Sequence, residues 1–143
     1  MKQLLPFKVG YETYALELTE IQEIVEQQQI HEFPGSPAVV AGAIGFHGRI
    51  VPVIDLAKLL DFPTGRIGSR LIVLINERGP VALGVDLVGS IVTLDISRAN
   101  RIQNYAERQY IRDIVNWGGG MMSLIDLDQL QAELELLCDN AGG

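Results

Sequence analysis

The chain is poor in cysteine and histidine. Cys138 is its one cysteine, which excludes an internal disulfide and any zinc site built from several cysteines. We expect Cys138 to act as a small apolar side chain in a last helical turn, the alternative being a reactive or regulatory thiol. The two histidines, His31 and His47, lie in different segments without a partner at metal-ligand spacing, so the sequence predicts no metal site.

Long apolar runs are also missing, although 48% of the residues are hydrophobic. No run approaches the roughly 18 residues that a membrane-spanning helix needs. Met1–Leu5 leads into Pro6 and Lys8 without the apolar segment of a secretory signal peptide. We therefore expect a cytoplasmic protein without direct membrane insertion, and 143 residues suit a single domain with a sizeable core.

Positive charge is scarce, with 11 Lys and Arg against 18 Asp and Glu. Binding to a phosphate backbone relies on clustered basic side chains, and stacking on bases needs aromatic residues beside them. The nine aromatic residues show no such clustering, which disfavours a nucleic-acid partner and favours a protein. Half of the arginines fall between Arg98 and Arg112, a segment interpreted as a solvated connection or, alternatively, a contact for an acidic partner.

Patterns of catalytic residues are absent as well. No serine stands in a nucleophile elbow, and Gly118–Gly120 lies between two strand patterns instead of before a phosphate-binding helix. Asp55 and Asp126 each follow a strand pattern and precede a helical one, which predicts helix N-caps instead of catalytic or metal-binding acids. The sequence therefore predicts neither an enzyme nor a bound cofactor.

One local pattern occurs twice. Val53-Ile54-Asp55-Leu56 recurs 71 residues later as Leu124-Ile125-Asp126-Leu127. Each copy combines the end of a strand with the start of a helix, which predicts two similar halves. Residues 61–69 have turn-forming composition and mark the expected crossing from the first half to the second.

Short strands dominate the remaining pattern. Apolar alternation predicts a first hairpin over Leu5–Leu18, a second around His47-Gly48-Arg49 and a last one around Trp117–Gly120. Thr19 and Gln22 suggest a capping box, so a short helix is predicted after the first hairpin, with Ile21, Ile24 and Val25 on its buried face.

The segment Gly42–Leu60 resembles the signature of the CheW-like family, the adaptor modules of bacterial chemotaxis arrays. It departs from the usual form at three positions: Gly45 replaces Asn, His47 replaces Arg, and Ala57 replaces a polar residue that is often Arg. The similarity extends over about residues 3–138.

The resemblance implies a mainly β fold, with two SH3-like five-stranded β-barrels that share a hydrophobic core, short helices and a C-terminal helix. It also implies one domain over residues 3–138, with residues 139–143 as a tail. Paired small barrels agree with the short strand spacing.

The resemblance implies a scaffold that joins the cytoplasmic tip of a chemoreceptor to the regulatory domain of the histidine kinase CheA. The positions that match the family's receptor contact are Ile21, Glu23, Gly42 and His47. Adaptors of a type IV pilus or another signalling array share the fold, and a small-molecule or peptide-binding SH3-like barrel is the remaining alternative.

His47 is the departure that bears on function. Histidine lacks the permanent charge and the bidentate donors of arginine, so a contact between Glu23 and His47 is expected to be weak. Arg49 is the possible substitute cation. We therefore expect an altered receptor contact on a retained scaffold.

Overall fold

The computed structural model describes residues 1–26, 29–63, 67–74, 79–96 and 110–142, with side chains described as far as Cys138. Strands dominate the described residues, as predicted. The strands and helices are β1 (Lys2–Val9), β2 (Glu12–Glu17), β3 (Ile21–Glu26), β4 (Val40–Phe46), β5 (Arg49–Asp55), α1 (Leu56–Leu59), β6 (Arg70–Leu74), β7 (Val81–Val85), β8 (Leu87–Val88), β9 (Val92–Leu94), β10 (Ile111–Trp117), β11 (Gly120–Ile125) and α2 (Leu127–Gly142).

The strands form two sheets. The central sheet has the order β3-β6-β7-β5-β4, and the terminal sheet has the order β10-β11-β2-β1-β8 with β9 also paired to β1. The central sheet takes its strands from the middle of the chain, whereas the terminal sheet combines strands from both ends.

The two sheets share one arrangement. In each, the second strand of a hairpin, β5 or β11, pairs in parallel with another strand, β7 or β2. That strand then pairs antiparallel with β6 or β1. The repeat seen in the sequence therefore corresponds to a repeated structure.

The aspartates of the repeat cap their helices as predicted. Asp55 accepts a hydrogen bond from the backbone N–H of Lys58 at 3.4 Å, and Asp126 accepts one from Gln129 at 3.2 Å. A carboxylate in this position satisfies an otherwise free amide and complements the helix dipole.

The chain changes sheets at Ile21 and again after Val85. Residues 61–69, where the sequence suggested the crossing, instead join α1 to β6, a strand of the central sheet. The reason is the parallel pairing of β2 with β11, which holds the first hairpin against the last. Helix α2 extends to Gly142 and so runs through most of the segment expected to be a tail.

The helix predicted after Thr19 is wrong. Only a single 3-10 turn forms over Leu18–Glu20, and the residues that follow it are strand β3, paired with β6. The pairing shifts between Ile21 and Glu23, so Gln22 is the extra residue of a bulge. This bulge disturbs the two-residue alternation, and β-branched residues such as Ile24 favour a strand.

The largest core lies between the sheets. It includes residues of both sheets and of both helices, which confirms the predicted shared core. Phe7 and Leu16 come from the terminal sheet, Leu83 from the central sheet and Leu130 from α2. Two smaller clusters of buried residues pack on one sheet each. The cluster around Val51 belongs to the central sheet, and the cluster around Met122 belongs to the terminal sheet.

Several local predictions have clear outcomes. The hairpins β1–β2, β4–β5 and β10–β11 form as predicted. Arg112 lies in β10 instead of a loop, whereas Arg98, Arg101 and Arg108 lie outside the described residues. Cys138 is exposed on α2 and does not belong to the core. No helix in the described ranges is long and apolar enough to cross a membrane.

Candidate partner-binding site

The β4–β5 hairpin presents His47 at its tip. Phe46 pairs with Arg49, which leaves His47 and Gly48 as a two-residue turn with φ of 47° and 74°. Positive φ at both positions is the pattern of the type I′ turn, which is unusual for a residue other than glycine. The His47 ring packs edge-on against Phe46 at 4.2 Å between centroids. The turn therefore presents an exposed imidazole that packs on Phe46.

Glu23 meets this imidazole from the opposite edge of the central sheet. β3 and β4 are the two outer strands of that sheet, yet His47 Nε2 lies 3.9 Å from Glu23 Oε1. The contact shows that the sheet curves enough to bring side chains of its two edge strands together. Both side chains are well exposed, so the pair contributes at most about 1 kcal/mol to stability.

Gly42 lies on β4, the strand that leads to the His47 turn. It is buried at an irregularity of β4 with φ of 147°, and a Cβ there would lie 2.3 Å from the carbonyl oxygen of His31. His31 and Ala43 exchange two backbone hydrogen bonds of 2.8 and 2.9 Å. The predicted site residue Gly42 thus has a backbone role, because it lets the segment around His31 cover the edge of β4.

Ile21 lies where the chain enters the central sheet. It is half-buried and packs against the core between the sheets. The bulge that follows turns Glu23 outward, so neighbouring positions of one short strand serve the core and the surface.

Arg49, the possible substitute cation, opens β5 on the other side of the turn. Its side chain is exposed and forms no ion pair with any residue that the structure describes. The contact to Glu23 comes from His47 instead. Arg49 adds an available positive charge beside it.

Exposed apolar residues next to these positions were missed by the sequence analysis. Ile50 is 76% exposed on β5. Ile24, which the sequence placed on the buried face of a helix, is instead exposed on β3. The available signal was alternation: Val51 and Val53 face the core, so an isoleucine at position 50 faces outward. Outward apolar residues that gather on one surface are typical of binding sites.

Two carboxyl groups before β3 have shifted pKa values. A hydrogen bond from Lys2, 2.9 Å away, lowers the pKa of Glu17, with Arg112 adding to the effect. Burial raises the pKa of Glu20. The backbone N–H of Glu17 donates to the Glu20 carboxylate at 3.1 Å, and this pairing fixes the turn that leads to Ile21.

Within the described ranges, no three His, Cys, Asp or Glu side chains are grouped so that they could hold a metal ion. The surface around Glu23 and His47 instead combines a carboxylate, an imidazole, a guanidinium and apolar side chains. Such a mixture suits recognition of another protein.

Comparison with known proteins agrees with this geometry. The family model described as CheW-like domain matches residues 3–135. The chain is 30% identical over 139 residues to a probable chemotaxis protein CheW of Rhizobium etli, which covers 94% of this chain and 90% of that protein. It is 25% identical over 145 residues to the chemotaxis protein CheW of Klebsiella aerogenes, with 97% and 87% covered.

A solved structure shows the same fold. The scaffolding protein TtCheW from Thermoanaerobacter tengcongensis matches with a TM-score of 0.78 and 25% identity, over 87% of this chain and 88% of that one. The likeness confirms the predicted pair of SH3-like β-barrels with a shared core.

Proposed function

Because this chain belongs to the CheW-like family, we propose that it is an adaptor that couples chemoreceptors to a CheA-type histidine kinase. The relatives named as chemotaxis proteins and the scaffolding protein of the same fold support this proposal. The observation that carries it is the contact between Glu23 and His47, because it unites two positions matched to the family's receptor contact.

The receptor side of the adaptor is the surface built from Ile21, Glu23 and His47. Arg49 lies beside it, and Gly42 lies on β4, the strand that leads to it. A receptor tip is a helical hairpin, and a helix can lay its apolar residues on such a surface while its polar residues meet Glu23 and His47. The conformation of the turn exposes the imidazole for this contact.

The kinase side is a separate surface that takes the regulatory domain of the kinase. An adaptor couples two partners when both are bound at once, so that a movement of the receptor biases an equilibrium in the kinase. The protein then works in the cytoplasm, where the receptor tip and the kinase meet. No observation on the described residues favours the pilus-type array or a small-ligand barrel over this function.

Calorimetric titration tests the proposal with two partners, the chemoreceptor signalling tip and the regulatory domain of the CheA-type kinase from the same organism. We expect the unmodified protein to bind both with micromolar affinity. Glu23→Lys should weaken receptor binding about tenfold and leave kinase binding unchanged, because it reverses the charge of one exposed contact residue. Binding of neither partner by the unmodified protein would refute the proposed function.

His47→Arg is the matched variant, since it restores the residue that the family prefers. A permanent charge with a forked donor should strengthen receptor binding by about threefold, without a change in kinase binding. Receptor affinity that is the same with His, Arg or Ala at position 47 would remove this residue from the contact.

A further inference from the structure

A second concave surface lies beside the terminal sheet. It is a cleft of about 570 Å³ between the β1–β2 turn, the β10–β11 hairpin and the segment that follows α1. We name it the hairpin cleft. Cavities of this volume are typical of sites for small molecules. The lining residues that matter for its chemistry are Tyr11, Glu12, Tyr14, Asp61, Phe62 and Met121.

Aromatic rings form one wall of the cleft. Tyr11 and Phe62 pack edge to face, with ring centroids 5.1 Å apart and planes at 85° to each other. Phe62 also lies over Gly10, where a Cβ would come within 2.6 Å of Phe62 Cδ1, and its backbone N–H donates to the carbonyl of Ala57 at 2.8 Å. Tyr11 remains 83% exposed, so a ligand can reach its ring. Because the two planes are nearly perpendicular, the pair presents ring faces in two directions.

A carboxylate is held in position in the same cleft. The Tyr14 hydroxyl donates to Glu12 Oε2 at 2.8 Å. Tyr14 is itself buried and stacks on Phe7, so the hydroxyl that orients the carboxylate is fixed by the core. A group that is positioned before a ligand arrives loses little conformational entropy when the ligand binds.

The charge of the cleft is negative. Glu12 and Asp61 carry that charge, and the described residues that line the cleft include no lysine, arginine or histidine. Among the side chains that the structure describes, Glu12 forms no ion pair with a cation. The carboxylate therefore remains available to a positively charged ligand, and an anion would be repelled.

Together, the rings and the carboxylate select one class of ligand. Aromatic faces attract cations through the ring quadrupole, and quaternary ammonium groups are the ligands that proteins most often recognise in this way. Met121, which is 54% exposed, adds an apolar contact from the β10–β11 hairpin. A compact cation with methyl groups uses all three features, whereas a purely apolar ligand leaves the carboxylate without a partner.

We propose that the hairpin cleft binds a small quaternary ammonium ion of the choline type. Its trimethylammonium group lies against Tyr11 and Phe62, and Glu12 balances its charge. The proposal does not depend on the adaptor function, because the receptor side contributes none of the described lining residues. Ligand binding and partner binding can therefore be measured separately.

Titration of the full chain with choline, followed by nuclear magnetic resonance, tests the proposal. The matched probe is the neutral isostere of choline, in which a tert-butyl group replaces the trimethylammonium group. The two molecules have the same shape, so a difference in affinity reports the charge. We expect choline to bind at least tenfold more tightly than the isostere. Equal affinities, or no binding of choline, would overturn the proposal.

Substitutions place the ligand in the cleft. Glu12→Gln should weaken choline binding about tenfold and leave the isostere unchanged, because it removes charge and keeps shape. Glu23→Gln is the matched control, since it removes an exposed carboxylate outside the cleft, and it should leave choline affinity within twofold. Tyr11→Ala should weaken choline binding about tenfold, whereas Tyr11→Phe keeps the ring and should stay within twofold.

Thermal unfolding confirms that each variant is folded. If Glu12→Gln and Tyr11→Ala bound choline as the unmodified protein does, the ligand would lie elsewhere and the cleft assignment would be wrong.

Two further observations sharpen the test. The methyl signal of Met121 should shift during the titration, whereas that of Met1, before the far end of β1, should not. A shift of both or of neither would contradict binding in the cleft. A peptide with trimethyllysine presents the same group from a protein. If it bound more than tenfold more tightly than choline, the occupant would be a protein segment and the assignment to a free ion would be wrong.

Discussion

The two barrels carry equivalent hairpins that end in different chemistry. In β4–β5 the turn is His47-Gly48, and in β10–β11 it is Gly118-Gly119, with positive φ at all four residues. Glycine adopts this conformation freely, whereas other residues pay roughly 1–2 kcal/mol. The turn that carries a side chain is the one that faces Glu23. Strain is thus accepted where a side chain contributes to a surface.

The residues that flank the two turns also differ in burial and charge. Phe46 before the first turn is buried and Arg49 after it is charged, whereas Trp117 before the second turn is exposed and Gly120 follows it. One hairpin is anchored and charged, and the other is glycine-rich and apolar. A few substitutions on a shared framework are enough to give two surfaces of different chemistry.

The largest expected effect concerns the edge that supports the first hairpin. Gly42→Ala should lower the free energy of unfolding by about 3 kcal/mol, since it adds a clash to a positive φ. Gly45→Ala in the same strand is the control, because nothing lies within 4 Å of its Cβ position. It should cost less than about 1 kcal/mol. Urea denaturation measures both, and equal losses would contradict the backbone role of Gly42.

The two aspartate caps test how far the barrels are equivalent. Asp55→Ala and Asp126→Ala should each cost about 1 kcal/mol, because each removes a side-chain cap from the helix after a hairpin. The measurement is the midpoint of urea unfolding for both variants. If one substitution left the free energy of unfolding unchanged, the two caps would share a sequence pattern but would not contribute equally to stability.

The two turns allow opposite substitutions, in which glycine is removed from one turn and introduced into the other. Gly118→Ala should destabilise the protein by about 1 kcal/mol, because alanine resists positive φ. His47→Gly should raise stability by about 0.5 kcal/mol through the same term, and weaken receptor binding. Thermal unfolding shows whether each variant gains or loses stability. A loss of stability in both variants would mean that the packing of His47 on Phe46 outweighs the strain of its turn.

The smallest expected effect is the pH response of the terminal sheet. Since the pKa of Glu17 is lowered from 4.5 in the folded protein, its stabilising contribution is present above that value and is lost as the pH falls through the folded pKa. Glu20 has a raised pKa and opposes this trend: its contribution is present below 4.5 and is lost as the pH rises through its folded pKa.

Glu17→Gln should therefore reduce the loss of stability between neutral pH and about pH 3, by less than about 1 kcal/mol. Lys2→Met is a matched variant, because it removes the hydrogen-bond donor that lowers this pKa. Denaturation at several pH values follows the change. An unaltered pH profile in both variants would contradict the role of the Lys2–Glu17 pair.

Local chemistry made part of the fold predictable from the sequence. Glycines at Gly48 and Gly118 identified tight turns, and Asp55 and Asp126 identified caps, because each acts through its own neighbours. Strand β3 was missed because a bulge at Gln22 imitates helical spacing and because its partner β6 is distant in sequence. The pairing of β2 with β11 has no local signal at all.

The two surfaces also differ in how far the sequence predicted them. The resemblance identified Glu23 and His47 as neighbours, and the structure brings them together. The hairpin cleft was missed because Tyr11, Phe62 and Met121 come from three segments, each unremarkable alone. Exposed apolar residues at outward positions are the signal that would have pointed to it.

Simultaneous binding is the most direct test of the account, which assigns the receptor and the kinase to separate surfaces. The receptor tip is titrated by calorimetry into the protein alone and into the protein saturated with the kinase regulatory domain. The account predicts the same receptor affinity, within twofold, in both titrations. Loss of receptor binding in the saturated sample would show that the two partners compete for one surface and would contradict it.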